Sequence, residues 1–209
     1  MEIAILLFDE LTALDAVGPY EVLKSIPGAT VRFAAKSPGP YRMSGSNLVL
    51  LANEGIEDVG QPEIVLIPGG PGVKNVMGDP AILEWVGAVH KTSRWTTSVC
   101  TGSLVLGAAG VLRGLKATSH WLALESLRNF GAEPVSDRVV QDGKVITAAG
   151  VSAGIDMALT LVGIECGEKT AQAIQLGIEY DPQPPYDAGS PRKAPESVVA
   201  MLQGRAQGK

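Results

Sequence analysis

Residues that build metal sites and disulfide frameworks are scarce in this sequence. Cysteine occurs only at Cys100 and Cys166, and histidine only at His90 and His120. Because there is no Cys-x-x-Cys pair and no Cys/His cluster, neither a metal site nor a disulfide framework is predicted. Two isolated cysteines are typical of a reduced protein, so we expect a cytoplasmic location.

Clusters of positive charge and long apolar runs are also absent. The 17 Lys and Arg residues are scattered, and the formal net charge is −5. Binding to nucleic-acid phosphates requires clustered positive charge, so a DNA or RNA partner is not expected. The apolar run from Ile3 to Phe8 is too short for a membrane span or a signal-peptide core, which need about 20 and about 7–15 residues. We therefore expect no membrane association.

Aliphatic residues and glycine are abundant instead. Hydrophobic residues make up 45% of the 209 residues, with 25 Gly but only three Phe and three Trp. This composition fits an α/β protein whose strands are filled by Val, Ile and Ala. We expect one domain over residues 1–209, in which about 179–209 is a C-terminal extended segment with a short helix. The predicted strands include 2–8, 30–35, 48–52 and 63–67, and the predicted helices include 79–91, 121–130 and 169–178.

A β-type run in the middle of the chain stops at a cysteine and restarts as a small-residue helix. Trp95 to Val99 is rich in β-branched residues, and Leu104 to Ala109 is predicted to be a buried helix. Cys100 would then lie on a sharp turn beside the unpaired N–H groups of a helix start. These groups favour a thiolate, so we expect the pKa of Cys100 to fall from about 8.5 to roughly 3.5–7.5. The alternative is a small, buried apolar cysteine, which is also the prediction for Cys166.

Two carboxylates follow the first predicted strand. Pro19 suits the first position of a helix, so we expect the helix to begin there, with Asp15 on the turn before it. This places Asp15 near the carboxyl end of a strand, where ligand sites collect in parallel sheets. Glu21 lies one turn further along and is the rival for any role given to Asp15. A solvent-exposed turn or a helix cap is the alternative for Asp15.

A predicted buried strand ends in Pro-Gly-Gly-Pro-Gly. Gly69 and Gly70 lack Cβ, so their backbone can approach a ligand closely, but the spacing is not that of a phosphate-binding loop. The turn is either an oxyanion-type donor site or a plain connection.

His120 follows a predicted strand and either approaches Cys100 or is structural. His90, near a helix end, is expected to be solvated and partly charged.

Several stretches together resemble the ThiJ/PfpI superfamily, and within it the isocyanide hydratases. The resemblance runs through nearly the whole chain and is therefore more specific than any single motif. The stretches are Leu14-Asp15-x-x-Gly18-Pro19, Ile67-Pro-Gly-Gly-x-Gly72, Ser98-Val-Cys-Thr-Gly-Ser-Leu-Val-Leu-Gly-Ala-Ala-Gly110, Ala117-Thr-Ser-His-Trp121, Ala153-Gly-Ile-Asp156 and Glu179-Tyr-Asp-Pro-x-Pro-Pro-Tyr-x-Ala-Gly-Ser-Pro191.

This resemblance implies a flavodoxin-like α/β sandwich with a mostly parallel central sheet, helices on both faces and a cysteine nucleophile elbow. It implies that Cys100 is the nucleophile and Asp15 its acid partner, and that the N–H groups of Gly70 and Thr101 stabilise an anion. The implied activity is hydration of a small-molecule isocyanide to an N-substituted formamide through a Cys100 thioimidate. The resemblance further implies a homodimer, and this chemistry requires no metal or organic cofactor.

Two residues separate this chain from other branches of the superfamily. Protease-like members resemble Cys-His-Gly at the elbow, whereas here Thr101 follows Cys100, so the adjacent base is missing. Deglycase-like members carry a glutamate where this chain offers Asp15. Three alternatives stay open: a glyoxalase or deglycase acting on 2-oxoaldehydes, a sensor domain related to transcription regulators, and a redox sensor in which Cys100 is oxidised.

Overall fold

Strands and helices alternate along the chain, as the composition predicts. The computed structural model describes residues 1–207. Its strands are β1 (Glu2–Leu6), β2 (Thr30–Ala35), β3 (Gly39–Arg42), β4 (Val49–Ala52), β5 (Glu54–Gly55), β6 (Ile64–Ile67), β7 (Trp95–Val99), β8 (Lys116–Ala117), β9 (Glu133–Pro134), β10 (Val139–Asp142) and β11 (Val145–Ala148). Its α-helices are α1 (Ala13–Leu23), α2 (Val73–Met77), α3 (Pro80–Thr92), α4 (Gly102–Ala108), α5 (Ala153–Cys166), α6 (Glu168–Gly177) and α7 (Glu196–Gln207), and a 3₁₀ helix spans Leu124–Phe130.

The central sheet is mostly parallel. Within the described residues it has seven strands in the order β10-β11-β7-β6-β1-β2-β5. All neighbouring pairs are parallel except β10 and β11, which form the hairpin predicted from Asp142-Gly143. Strands β3 and β4 form a separate antiparallel pair, and β8 and β9 form a short parallel one.

The central strands are buried on both faces of the sheet. Ile3–Leu6 of β1 and all residues of β6 and β11 are buried. Because successive side chains point to opposite faces, a strand buried throughout must be covered on both sides. Helix α5 contacts both α1 and α6, and α2, α3 and α4 contact one another in a second group. These features confirm the predicted α/β fold.

The carboxyl ends of the parallel strands meet at one edge of the sheet. Ile67 of β6 pairs with Ser98 of β7, and Val99 of β7 pairs with Ala148 of β11. The loops that follow these strands therefore lie side by side, at the edge where ligand sites form in parallel sheets. With the loop after β1, they lead to Asp15, Gly70, Cys100 and Val151.

Helix α1 begins earlier than predicted. It has Asp15 in its first turn and Pro19 in its interior, so the expected start at Pro19 is wrong. Pro19 has no N–H to donate to the carbonyl of Asp15, one turn before it. Its ring instead packs against Gly154 of α5, where a Cβ atom would lie 3.0 Å from the ring. Packing between α1 and α5 thus retains a helical turn that the local sequence disfavours.

His90 is half-buried rather than solvated, which corrects a second prediction. Its Nδ1 lies 2.8 Å from the hydroxyl of Thr96 on the neighbouring strand β7. Burial lowers the pKa of His90, and the charge of Lys144 lowers it further. The imidazole is therefore neutral at pH 7, because α3 places it against the sheet instead of in solvent.

The predicted helix at 121–130 is also shorter than expected. Regular structure is confined to the 3₁₀ helix at Leu124–Phe130, which ends, as predicted, at Gly131 with φ of 75°. This left-handed conformation is the one that glycine adopts most readily at a helix end.

The chain divides into two compact units, Met1–Ile178 and Glu179–Lys209. The boundary coincides with the start of the predicted C-terminal segment, while one domain over residues 1–209 stays a prediction. Residues 179–195 form no helix or strand, and α7 follows them. The last two residues of the predicted segment, 208–209, lie outside the described residues.

No helix in the described range 1–207 has both the length and the apolar character needed to cross a bilayer.

Replacement of Gly107 tests the packing of α4. A Cβ atom at this position would lie 2.7 Å from Cγ and 2.9 Å from Cβ of Phe130. We expect Gly107→Ala to lower the free energy of unfolding by up to about 2 kcal/mol, because overpacking costs about 1–3 kcal/mol and the gain in helix propensity returns only about 1 kcal/mol. Urea denaturation measures this change.

Gly87→Ala in α3 is the matched control, since the nearest atom to its new Cβ would be the carbonyl oxygen of Ala109 at 3.9 Å. This variant should be neutral or slightly more stable than the unaltered protein. Equal destabilisation by the two substitutions would contradict the packing explanation.

Candidate active site

Cys100 lies on a strained strand-to-helix elbow. Its φ of 57° is uncommon for a residue other than glycine. Its N–H is shared between the carbonyl oxygens of Ala148 and Ala149, at 3.0 and 2.9 Å. Its carbonyl oxygen accepts the hydroxyl groups of Ser103 at 3.2 Å and Ser119 at 3.1 Å. These hydrogen bonds hold the elbow in a conformation that it would not adopt alone.

Two glycines allow the elbow to approach the neighbouring loop. A Cβ atom at Gly102 would overlap the carbonyl oxygen of Ile67. One at Gly69 would lie 2.5 Å from the nitrogen of Thr101 and 3.0 Å from Oδ2 of Asp15. Any larger residue would therefore push the cysteine elbow, the glycine turn and α1 apart.

The carboxyl group of Asp15 is fully buried beside this elbow. Its Oδ2 accepts the N–H of Gly69 at 3.0 Å. Its Oδ1 has no partner with ordinary hydrogen-bond geometry among the described residues. The Cys100 thiol lies close enough to act as a looser donor to this carboxyl group. The predicted pair is thus brought together, with one carboxyl oxygen left to carry a proton.

Burial disfavours the charged forms of both groups. Loss of hydration raises the pKa of Asp15 from 3.8 to about 6, against the opposing effects of the Gly69 N–H and the Cys100 thiol. Burial, followed by the charge of the Asp15 carboxylate, raises the pKa of Cys100 from 9.0 to about 12. At pH 7 the pair therefore rests as a neutral thiol beside a mostly ionised carboxylate.

The prediction of a thiolate with a lowered pKa is therefore wrong for the resting site. The N–H groups of Thr101 and Val151 do lower the pKa of Cys100, as donors at a helix start should. Helix α4 has only seven residues, however, and loss of hydration together with the Asp15 charge outweighs these donors. The local sequence indicates the N–H donors at the helix start, but it does not indicate that Cys100 is buried.

The predicted anion-stabilising pair is only partly present. The N–H of Thr101 faces the Cys100 sulfur, but the N–H of Gly70 donates to Thr101 Oγ1 at 2.9 Å and is not free. Val151, which the sequence analysis missed, also directs its N–H at the sulfur. Its φ of 36° is unusual for a β-branched residue. Val151 lies on the loop that follows β11. Only the pairing of β11 with β7 could have shown that this loop borders Cys100.

Glu21 is not part of the site. Its carboxylate forms an ion pair with Lys24 at 2.6 Å, and both side chains are about half exposed. The Lys24 ammonium also lies over the ring of Tyr20, 5.1 Å from its centre. Of the two carboxyl groups considered, Asp15 is therefore the one that lies beside Cys100.

Cys100 opens into a cavity of about 460 Å³. Lys74 and His120 lie on its wall, and Lys74 is the one formally charged lining residue among those described. The apolar lining residues are Pro71, Val73, Met77, Leu104, Leu122, Ala123 and Val151. Asp15 is fully buried and is not one of the residues that line the cavity. A larger cavity of about 560 Å³ between α3 and α4 contains neither member of the pair.

No group of three or more His, Cys, Asp or Glu side chains within residues 1–207 is arranged to hold a metal ion. Cys166, at the end of α5, is partly buried and packs against the hydrophobic core, as predicted.

Comparisons with known proteins agree with this geometry. Residues 1–163 match the sequence profile of the DJ-1/PfpI family, and the chain therefore belongs to that family. An isonitrile hydratase from Pseudomonas putida is 45% identical over 206 residues, which cover 99% of this chain and 90% of the relative. Isonitrile is another name for isocyanide.

Two further relatives place this likeness in context. The crystal structure of a ThiJ/PfpI family protein from Pseudomonas syringae has a TM-score of 0.95 and 37% identity, covering 99% of this chain and 86% of that one. A glutathione-independent glyoxalase from Caenorhabditis elegans is 29% identical over 147 residues, which cover 68% of this chain and 77% of the relative.

The raised pKa of Asp15 predicts a pH-dependent cost to stability. The pKa of this acid is about 6 in the folded protein and 3.8 in the unfolded one. Its burial therefore does not lower the free energy of unfolding at pH values below 3.8, and lowers it by the full amount at pH values above 6. Relative to the unaltered protein, the free energy of unfolding of Asp15→Asn should therefore rise by about 2 kcal/mol between pH 4 and pH 7.5.

Urea denaturation of both proteins at the two pH values measures this change. Because the other titrating groups are common to both proteins, their effects cancel in the difference. A difference that is the same at both pH values would show that Asp15 titrates normally in the folded protein.

Proposed function

We propose that this protein is an isocyanide hydratase, which converts an isocyanide to an N-substituted formamide without a metal or organic cofactor. The observation that carries the proposal is the buried contact between Cys100 and Asp15 at the base of a mostly apolar cavity. The 45% identity with an isonitrile hydratase, over nearly the whole of both chains, supports it.

The pair supplies the nucleophile and the proton for the first half of the reaction. The terminal carbon of an isocyanide accepts a soft nucleophile, and the attack leaves negative charge on that carbon. As the Cys100 sulfur attacks, its proton passes to the Asp15 carboxylate. Asp15, or a water that it orients, then delivers this proton to the carbon. The product is a thioimidate, R–N=CH–S, bonded through Cys100.

The second half of the reaction releases the product. Water adds to the thioimidate carbon with Asp15 as the base, and the nitrogen gains the proton that the water loses. The carbon–sulfur bond then breaks, the remaining hydroxyl proton returns through Asp15 to the sulfur, and an N-substituted formamide leaves. The N–H groups of Thr101 and Val151 stabilise the charge on the departing sulfur.

The raised pKa values of Cys100 and Asp15 suit both halves of the proposed reaction. Because the pKa of Cys100 is raised to about 12, its proton stays on the sulfur until substrate arrives. Because the pKa of Asp15 is about 6, the carboxyl group can both accept and return a proton near neutral pH. A protonated thiol is also a poor target for oxidation, which disfavours the redox-sensor alternative.

We also propose that the protein is a cytoplasmic homodimer. Several large apolar side chains of the first unit are exposed, as is common at contacts between proteins. They are Leu14, Leu48, Val49, Leu51, Leu122, Ile164 and Leu176.

Substitution of the cysteine tests the nucleophile. We expect Cys100→Ala to abolish formamide production from an alkyl isocyanide while the fold is retained, because no other group can form the thioimidate. Asp15→Asn should lower turnover by at least about 100-fold, since the proton relay is lost. Cys166→Ala is the matched control and should keep full activity. Chromatography of the formamide measures each variant, and an active Cys100→Ala protein would end the proposal.

A comparison of substrates tests the reaction class. Incubation with an isocyanide should yield formamide, whereas incubation with methylglyoxal should yield lactate no faster than the Cys100→Ala variant does. This follows because Asp15 takes the place of the glutamate found in the deglycase-like branch. Cys100-dependent lactate production without formamide would favour the glyoxalase alternative, and the absence of both products would favour the sensor-domain alternative.

A further inference from the structure

His120 is held beside the cysteine elbow, although no part of the proposed reaction yet uses it. Its ring lines the same cavity as Cys100. The preceding residue, Ser119, donates its hydroxyl to the Cys100 carbonyl oxygen at 3.1 Å, and the N–H of Thr118 donates to Thr147 Oγ1 at 2.8 Å. The segment that carries His120 is therefore fixed both to the elbow and to β11.

Hydrogen bonding determines which nitrogen of His120 carries the proton. The N–H of Leu122 donates to Nδ1 at 3.3 Å, so Nδ1 is the acceptor and the proton lies on Nε2. Burial lowers the pKa of His120, which keeps the ring neutral at pH 7. Among the described residues, Nε2 has no protein acceptor, so its N–H is available to a molecule in the cavity.

Gly150 allows the imidazole to pack against the loop that borders the sulfur. A Cβ atom at Gly150 would lie 2.9 Å from Cδ2 and 3.6 Å from Nε2 of His120. The next residue, Val151, directs its N–H at the Cys100 sulfur. The edge of the ring that carries Nε2 therefore lies next to a backbone segment in contact with the nucleophile.

We propose that the Nε2–H of His120 binds the nitrogen of the Cys100 thioimidate and stabilises the negative charge that develops there when water adds. This inference rests on the proposed function and adds a group that acts in its second half. A neutral imidazole is suited to this role, because it polarises an acceptor without giving up its proton.

The atoms of the step balance without a further reactant. The water oxygen bonds to the thioimidate carbon, and the electrons of the C=N π bond move to the nitrogen, where His120 donates a hydrogen bond. The proton lost by the water reaches the nitrogen through Asp15, and cleavage of the carbon–sulfur bond follows. His120 keeps its own proton throughout, so it lowers the barrier to water addition without affecting the initial attack by sulfur.

Two substitutions of His120 distinguish the donor from the rest of the ring. In His120→Gln the side-chain amide can present an N–H near the position of Nε2, whereas in His120→Asn the amide reaches only to the position of Nδ1. His120→Ala is a second variant without the donor. His90→Asn, at the only other histidine in the chain, is the matched control and should leave turnover unchanged.

Each protein is mixed rapidly with excess n-butyl isocyanide and quenched in acid at intervals. Intact mass spectrometry follows the adduct on Cys100, and chromatography follows the formamide. We expect turnover of His120→Asn and His120→Ala to fall by about 100-fold, while adduct formation changes by less than about threefold and the adduct becomes the main species. Turnover of His120→Gln should be at least about tenfold higher than that of His120→Asn.

Three results would overturn the assignment: equal losses in adduct formation and turnover, identical behaviour of the Gln and Asn variants, or unchanged turnover in the Asn and Ala variants. Failure of the proposed function itself would look different, because the unaltered protein would then produce neither adduct nor formamide.

Discussion

The contact between a buried carboxyl group and a buried thiol sets the conditions for the rest of the site. Burial disfavours the charged forms of both Asp15 and Cys100. The Asp15 carboxylate further opposes ionisation of the thiol, whereas the neutral thiol favours the ionised carboxylate. The pair therefore holds one proton and one negative charge between them near neutral pH. A substrate that needs a nucleophile and a proton at the same carbon finds both in this single contact, and no separate base is required.

Bringing these two groups together requires close packing of backbone from several loops. Gly69 lies against both Asp15 and Thr101, and Gly102 lies against the end of β6, where a Cβ atom would not fit. Cys100 itself has a positive φ that four hydrogen-bonding neighbours maintain. The strain is retained because the surrounding sheet is buried on both faces and cannot yield locally.

The fold and the central pair could be predicted from the sequence because both follow from local patterns. Apolar strands that alternate with helices indicate a parallel sheet, and the strand ends of such a sheet converge, which brings Asp15 near Cys100. The start of α1 could not be predicted, since Pro19 is accommodated by contact with Gly154, far along the chain. The raised pKa of Cys100 and the engaged N–H of Gly70 likewise depend on burial and side-chain orientation, which no local pattern records.

Titration of the Cys100 thiol tests the central contact most directly. In a Cys166→Ala background Cys100 is the only cysteine, and the pH dependence of its alkylation by iodoacetamide reports its thiolate fraction. We predict an apparent pKa well above that of a free thiol, and a fall in that pKa when Asp15→Asn removes the neighbouring charge. A thiolate already formed below pH 7, or a pKa unchanged by Asp15→Asn, would show that the two groups do not share a proton.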